Sequence, residues 1–431
     1  MMIMTSYHPA RPFIPKLILI PALLFFLMAG SLLTGCRKSQ VLRLVTDQPE
    51  MLLASELFNS ELVQGQVRVQ IDYAANPAAT LNEVHPPDLL ISEDLLGTSQ
   101  LEKLMTLKEK ELFPNDHSED EDFYTPLMQA GFLKEERKAL PLSFNTGIIL
   151  LHRNSEKLFA HPLFTTPEEL HLLSSGFDVS NEGTYSFMGF SPLWDGPFVF
   201  DTLLLYGAAF TTDRNFSWNN SALNEALEFL RSWDLERDEG VKNVRNFQEK
   251  YLTIPPYRLL QKQKIFFTSS TLTEYGSFSD QVREDIAFRY LYRDGKLSVK
   301  NMVSAGINKE SSLKQEALTF VRWMVDPESQ KRIMKKKGVI RDEKFGFLSG
   351  LSTHPSVNLG PLEDSFPFCS IRSIENSHLP LPELQDLSWN NQVDQQLIPW
   401  LLKEIEGKNR SSLSESREEW INHYLPSTRI Q

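Results

Sequence analysis

Residues 41–58, VLRLVTDQPEMLLASELF, set a short apolar run, a polar turn and a proline-opened amphipathic stretch side by side. A strand that feeds directly into a helix is the opening unit of an α/β lobe. Pro49 suits a first helical turn, and Asp47 or Gln48 can cap it. VRVQIDY (67–73) then alternates Val67, Val69, Ile71 and Tyr73, the period of a half-buried strand. PPDLLIS (86–92) is a brief apolar run after prolines and predicts a central parallel strand. Its end, Ser92-Glu93-Asp94, falls at the carboxyl edge of the sheet, where open α/β sheets hold ligands.

Further along, ALPLSFNTGIILLHRN (139–154) passes through the polar turn Asn145-Thr146-Gly147 into the apolar Ile148–Leu151. NNSALNEALEFLRSW (219–233) carries Leu223, Leu227 and Leu230 on one stripe of an amphipathic helix. Residues 308–338 predict two helices. Ser311 or Ser312 caps the first, with Leu313, Ala317, Phe320, Val321 and Met324 buried; Asp326-Pro327 restarts the second. Lys335–Lys337 favour that helix's C-terminal dipole, and Gly338 supplies its stop.

The front of the chain has a different character. Arg11 and Lys16 precede an almost purely apolar run, Leu17–Leu33, that ends in Leu33-Thr34-Gly35-Cys36. A basic start, an apolar middle and small residues at the end make a secretory signal. A spanning helix would want about 20 apolar residues, and this run is shorter and broken by Pro21 and Gly30. The ending resembles a bacterial lipobox. That implies Cys36 as the first mature residue, acylated and tethering the chain to a membrane. Each buried methylene contributes ~0.8 kcal/mol to such an anchor. Cys369, the one other cysteine, then has no internal partner and reads as a buried, inert thiol.

About 400 residues remain after residues 1–35, too many for one core, so two lobes are expected. The formal charge is −12, and losing Arg11 and Lys16 makes the mature part more acidic still. Such a surface repels phosphate backbones, which argues against nucleic acid as a partner. The most acidic tract, DHSEDEDF (116–123), reads as a solvated loop, with a divalent-cation loop as the alternative. No Cys/His cluster has metal-ligand spacing, and no cofactor is expected.

Four segments in this order carry a family resemblance: PPDLLIS, LPLSFNTGIILLHRN, LQKQKIFFTSSTLTEY (260–275) and SAGINKESSLKQEALTFVRWMVDPESQKRIMKKKG (304–338). They resemble the extracellular solute-binding proteins of ABC importers, in the family that includes maltose- and other oligosaccharide-binding proteins. The resemblance spans roughly residues 41–407. Thr268-Ser269-Ser270-Thr271 stands where many members show a glycine and a tryptophan. LLLYGAAF (203–210) has one glycine where members often have two.

The resemblance implies an α/β, two-lobe periplasmic-binding-protein-like fold of type II, with the ligand cleft between the lobes. It implies residues 1–35 as the lipoprotein signal and 36–40 as the anchor linker. Residues 41–148 and 291–309 form the N-terminal lobe, 149–290 and 310–407 the C-terminal lobe, and 408–431 a tail. Crossings are expected near Gly147-Ile148, Arg289–Tyr292 and Gly306–Lys309. It also implies a monomeric, extracytoplasmic receptor. Such a receptor closes on a small solute, expected to be a carbohydrate, and delivers it to the permease of an importer.

Sugar sites join flat aromatic faces to a few carboxylates and amides. On that basis the first-lobe candidates are Asp47, Gln48, Ser92, Glu93 and Asn145. Those of the second lobe are Trp194, Asp195, Thr271, Tyr275 and Trp389; Trp389 stands where the family tends to place a stacking aromatic. Each has a plainer role open to it. Asp47 can cap a helix, Asn145 can satisfy a turn, Glu93 can be a solvated edge charge, and the tryptophans can be core. No Gly-x-Ser-x-Gly elbow, His-Glu-x-x-His or P-loop is present, and no carboxylate pair stands out for glycosidase chemistry, so a binder is expected rather than an enzyme. A ligand-degenerate sensor of the same fold, and a binder of polyamine or metal chelate, stand as alternatives.

Overall fold

A computed structural model of the protein describes residues 40–63, 66–113, 123–181, 184–210, 217–235, 240–340, 344–362, 374–380 and 392–407. Cys36, Cys369, Trp389 and nearly all of the 116–123 tract lie outside them. Among the described residues no helix is long and apolar enough to cross a membrane.

The opening unit forms as its pattern requires. Strand β1 (Val41–Thr46) leads into helix α1 (Met51–Glu61), which buries Met51, Ala54 and Phe58. Strands β2 (Arg68–Tyr73) and β3 (Leu89–Ser92) flank β1 in parallel, with Leu44 opposite both Ile71 and Leu89. All four residues of β3 are buried, as a central strand demands. Asp47 does not cap α1. The capping position falls to Glu50, whose side chain makes no capping bond.

The second part of the molecule grows from one long strand, β4 (Leu140–His152), buried over all but its last residue. Helices α2 (Gly196–Leu205), α3 (Asn220–Leu235) and α4 (Gly240–Tyr251) follow. Strand β5 (Phe267–Thr271) runs into the short helix α5 (Leu272–Gly276), and then comes β6 (Ile286–Arg293). Leu223, Leu227 and Leu230 of α3 are fully buried, in agreement with their stripe. Strand β7 (Val299–Ile307) precedes helices α6 (Lys314–Val325) and α7 (Pro327–Ile340).

Strand β4 changes partners halfway along. Its first half lies antiparallel to β7, from Leu140 opposite Ala305 to Thr146 opposite Val299, and β7 continues the sheet to β3. From Gly147 onward β4 lies between β5 and β6, with Gly147 opposite Thr271 and Ile148 opposite Tyr290. One strand therefore serves two sheets, and the switch falls between Thr146 and Gly147.

The paired helices α6 and α7 bury Leu313, Ala317, Phe320, Val321 and Met324 as expected. Asp326 accepts the Ser329 backbone N–H at 2.8 Å, the expected restart cap. The end of α7 differs from its expectation, because the helix continues through Gly338 to Ile340. Lys337 does not serve the helix dipole at the surface. It is buried with Glu50, Nζ to Oε1 3.4 Å, and also donates to the Gly346 carbonyl at 2.8 Å. Ser349 donates to the same Glu50 oxygen from its backbone and hydroxyl, at 3.2 and 3.1 Å. A lysine triplet in a helical period shows which residue turns inward only once its acid partner, far away in sequence, is known.

Removing one partner of a buried ion pair leaves the other charge uncompensated. Lys337→Met is expected to destabilise the fold by about 3–5 kcal/mol in urea denaturation. Adding Glu50→Gln to it should recover a good part of that loss.

Candidate functional site

Two groups of polar side chains collect at strand ends. The first lies at the carboxyl edge of β1 and β3. The Ser92 hydroxyl lies 2.7 Å from Asp47 Oδ2 and 2.5 Å from Asp94 Oδ1. Gln48 Nε2 donates to Asp47 Oδ1 at 2.7 Å, and the Glu93 backbone N–H to Asp47 Oδ2 at 3.3 Å. Asp47 is thus committed to this edge. Asp47, Gln48, Ser92 and Glu93 come together as the sequence suggested, and Asp94 joins them.

Among the described residues these three carboxylates have no lysine, arginine or histidine partner. Burial, reinforced by the charges of Asp47 and Asp94, pushes the Glu93 carboxyl up to about 7; a hydrogen bond with Gln48 opposes this. Asp94 is also raised, chiefly by burial, against the Ser92 hydroxyl. Like charges held close in a half-buried place are a cost that the fold leaves uncompensated.

The second group surrounds a cavity of about 420 Å³. One wall is the row Thr268, Ser269, Ser270 and Thr271 at the end of β5, continued by Glu274 of α5. Trp194 and Asp195 also line it, with Leu252, Pro256 and Ile265 as apolar lining. Trp194 stacks on Phe247 at 5.5 Å and meets Phe190 edge-on. Lys300 of β7 reaches in as well.

The acids here, like Asp47 and Asp94 of the first group, are occupied by the protein's own donors. Asp195 caps α2 by accepting the Phe198 N–H at 3.0 Å, and it accepts the Ser269 N–H at 2.8 Å and the Thr268 hydroxyl at 3.2 Å. The Ser269 hydroxyl also donates to it. Glu274 accepts from Ser270 at 2.7 Å and from the Thr271 N–H at 3.1 Å, while Thr271 Oγ1 accepts the Glu274 N–H, a reciprocal capping box.

Asn145 sits at the partner switch of β4. Its Nδ2 donates to Thr273 Oγ1 of α5 at 2.6 Å, and its Oδ1 accepts the Thr146 N–H at 2.9 Å. It does not line the cavity. Neither does Tyr275, which is 1% exposed with its hydroxyl donating to the Ile286 carbonyl at 3.0 Å. Trp389 lies outside the described residues.

Sequence reasoning missed Ser269, Ser270, Glu274 and Lys300. A run of four hydroxyl residues ending an apolar strand was the available signal for the first two. Asp201 was also missed. It is the one acid in the apolar helix GPFVFDTLLL, and Lys300 Nζ lies 2.8 Å from its Oδ2. Burial raises the Asp201 carboxyl, and Lys300 opposes the shift. Among the described residues no group of three or more His, Cys, Asp or Glu is arranged to hold a metal ion.

No family model and no curated protein matches the chain. Solved structures do. The sugar-binding protein MalE from the phytopathogen Xanthomonas citri superposes with a TM-score of 0.65 at 12% identity, over 90% of this chain and 98% of that one. The maltose-binding protein MalE from Listeria monocytogenes, in complex with maltose, gives 0.60 at 13% identity over 90% and 99%. The substrate-binding protein Lmo0181 of the same organism, in complex with cycloalternan, gives 0.60 at 12% identity over 91% and 100%. At such identities the similarity establishes the fold, the two-lobed α/β architecture of periplasmic binding proteins.

The raised Glu93 carboxyl has a consequence for stability. An unfolded chain loses this proton near the ordinary 4.5, whereas the folded protein keeps it to about 7. The native state therefore binds more protons within that window, and stability falls as pH rises through it, by up to about 3 kcal/mol. Urea midpoints measured from pH 4.5 to 8 should show this fall, and Glu93→Gln should flatten it.

Proposed function

We infer that the protein is a lipid-anchored extracytoplasmic receptor that captures a small carbohydrate between two lobes. It closes on the solute and presents it to an ABC importer, and it carries out no chemistry itself. The observation that carries this reading is the 420 Å³ cavity, whose lining joins an indole to a row of hydroxyls. An indole face packs against the C–H face of a sugar ring, and hydroxyls exchange hydrogen bonds with its oxygens. From the other sheet, Asp47 and Glu93 are the half-buried acceptors, held by the buried Gln48 and Ser92.

The solved neighbours include proteins holding maltose and cycloalternan, which supports the carbohydrate class. In this reading residues 41–148 and 291–309 form the first lobe and 149–290 belong to the second; α6 and α7, expected with the second, go with the first, because Phe320 and Trp323 pack on Phe58 and Lys337 on Glu50. Lobes sharing few connecting strands move by hinge rotation, and the Thr146–Gly147 switch is the natural pivot. Residues 1–35 are the signal, and Cys36 carries the anchor. Trp389 is a further stacking candidate.

A second reading, a sensor or partner protein with a degenerate ligand site, has its own observation. Asp195 and Glu274, the cavity's acids, are occupied by the protein's own donors and are not open to read a ligand.

A thermal-shift screen against maltose, maltotriose, mannobiose, spermidine and ferric chelates separates the readings. At a hundredfold excess over Kd a true ligand adds about 2.7 kcal/mol, a rise of a few degrees for a chain of this size. We expect a rise with a neutral oligosaccharide, abolished by Trp194→Ala. A polyamine or chelate hit would keep the receptor and change its cargo, and silence throughout would favour the sensor. Cys36→Ala should release the protein from membranes and abolish acyl labelling.

A further inference from the structure

Lys300 is the exception among the residues lining the cavity. All the others fall between Trp194 and Glu274, on elements built around the second half of β4. Lys300 stands on β7, which pairs with the first half of β4 and with β3. It lies opposite Asn145, one position from the partner switch. The ladder breaks just after it, where the register shifts between Lys300 and Val303 and Asn301 adopts a left-handed φ of 40°. Such bulges re-aim a neighbouring side chain. Here the lysine leaves its own sheet and its ammonium reaches Asp201 of α2, 2.8 Å away.

The receiving end is rigid. Asp201 is 1% exposed, and its Oδ1 accepts the Ser298 hydroxyl at 2.9 Å. Gly147 crosses so closely that an added Cβ would come within 2.9 Å of Asp201 Oδ2. Lys300, Ser298, Asp201 and Gly147 thus meet where β4 changes sheets. An ammonium has three N–H donors. Asp201 pairs with the ammonium as an ion, and the Lys300 side chain remains 20% exposed at the cavity.

We propose that the Lys300–Asp201 pair ties the two sheets together and sets the resting angle between the lobes, and that a solute in the cavity engages the same ammonium through an oxygen acceptor. The second clause rests on the receptor reading above; the first does not. Rotation about Thr146–Gly147 carries the stem of Lys300 relative to Asp201, so this one contact senses both lobe angle and cavity occupancy. A neutral hydroxyl, ether or carbonyl oxygen suits it, because the ammonium is already charge-compensated.

The test uses the full chain with Cys36→Ser and Cys369→Ser, and dyes on Glu56→Cys of α1 and Glu228→Cys of α3. Single-molecule energy transfer then reports the distance between the lobes. Lys300→Gln alone would leave Asp201 buried and uncompensated, so it is combined with Asp201→Asn, which keeps the volume and a neutral hydrogen bond. The ligand-free double variant should show a shifted or broadened distance distribution. Its affinity for the oligosaccharide found to bind, maltotriose or mannobiose in the first instance, should fall about tenfold or more. A ligand-free distribution identical to the parent's overturns the tie. Unchanged affinity with a shifted distribution overturns the solute contact alone. If the parent binds no probe while the distribution still shifts, the receptor reading fails together with the solute contact, and the tie stands.

Discussion

Strand β4 is the constraint on which the rest of the molecule depends. Thirteen residues run as one strand, and two sheets are built on it. Because it is covered on both sides, its polar groups depend on partners inside the protein, and among the described residues only the Thr146 hydroxyl of this strand is left without one. Asn145 meets that demand by bonding Thr273 with its amide and the Thr146 N–H with its carbonyl oxygen. The backbone N–H of Gly147 donates to the Ser298 carbonyl at 2.9 Å. These bonds draw α5 and β7 to the same point. The cavity lies beside this junction because β5, α5 and Lys300 are all held there.

The two sheet ends both hold carboxylates with the protein's own donors, but only one of them crowds the acids together. Around the cavity, Asp195 and Glu274 cap helices and accept neighbouring hydroxyls, so their charge is spread over fixed donors. These bonds shape the wall and hold the hydroxyl row in place. At the edge of β1 and β3, Asp47, Glu93 and Asp94 share Ser92 and Gln48 and, among the described residues, have no cation partner. On the receptor reading, the second group gives the site its shape, and Glu93 of the first is the half-buried carboxyl left to read a polar solute. A fold seldom keeps half-buried repulsion without a use for it.

Much of this architecture was legible in the sequence because it rests on local rules. Residues 89–92 and 148–151 announced strands by their apolar runs, whereas Asn145-Thr146-Gly147, expected as a turn, continues the strand. The stripes at Leu223–Leu230 and Leu313–Met324 announced helices, and Asp326-Pro327 marked a restart. Asp47, Gln48, Ser92 and Glu93 could be gathered from strand ends alone, since parallel strands bring their carboxyl ends together. What escaped depends on contacts distant in sequence. Nothing local distinguishes Lys337 from Lys335, and its partner Glu50 is nearly three hundred residues away. Tyr275 follows the hydroxyl row 268–271, yet its ring turns into the core toward Ile286.

Lys300 and Asp201 show where the next such inference should look. Each breaks its own local pattern: an ammonium in a strand that runs into a sheet core, and a carboxylate in an apolar helix. A charge in such a place must find a partner or lose its proton, since desolvation of either ion alone is prohibitive. Two misfits of opposite sign therefore constrain each other, and the pairing can be sought before any coordinates exist. Their meeting point also has mechanical meaning. One member belongs to a strand of the first sheet and the other to a helix packed on the second. A charge pair buried between two such bodies resists their relative motion more than apolar contact does, because separating it exposes two unpaired ions at once.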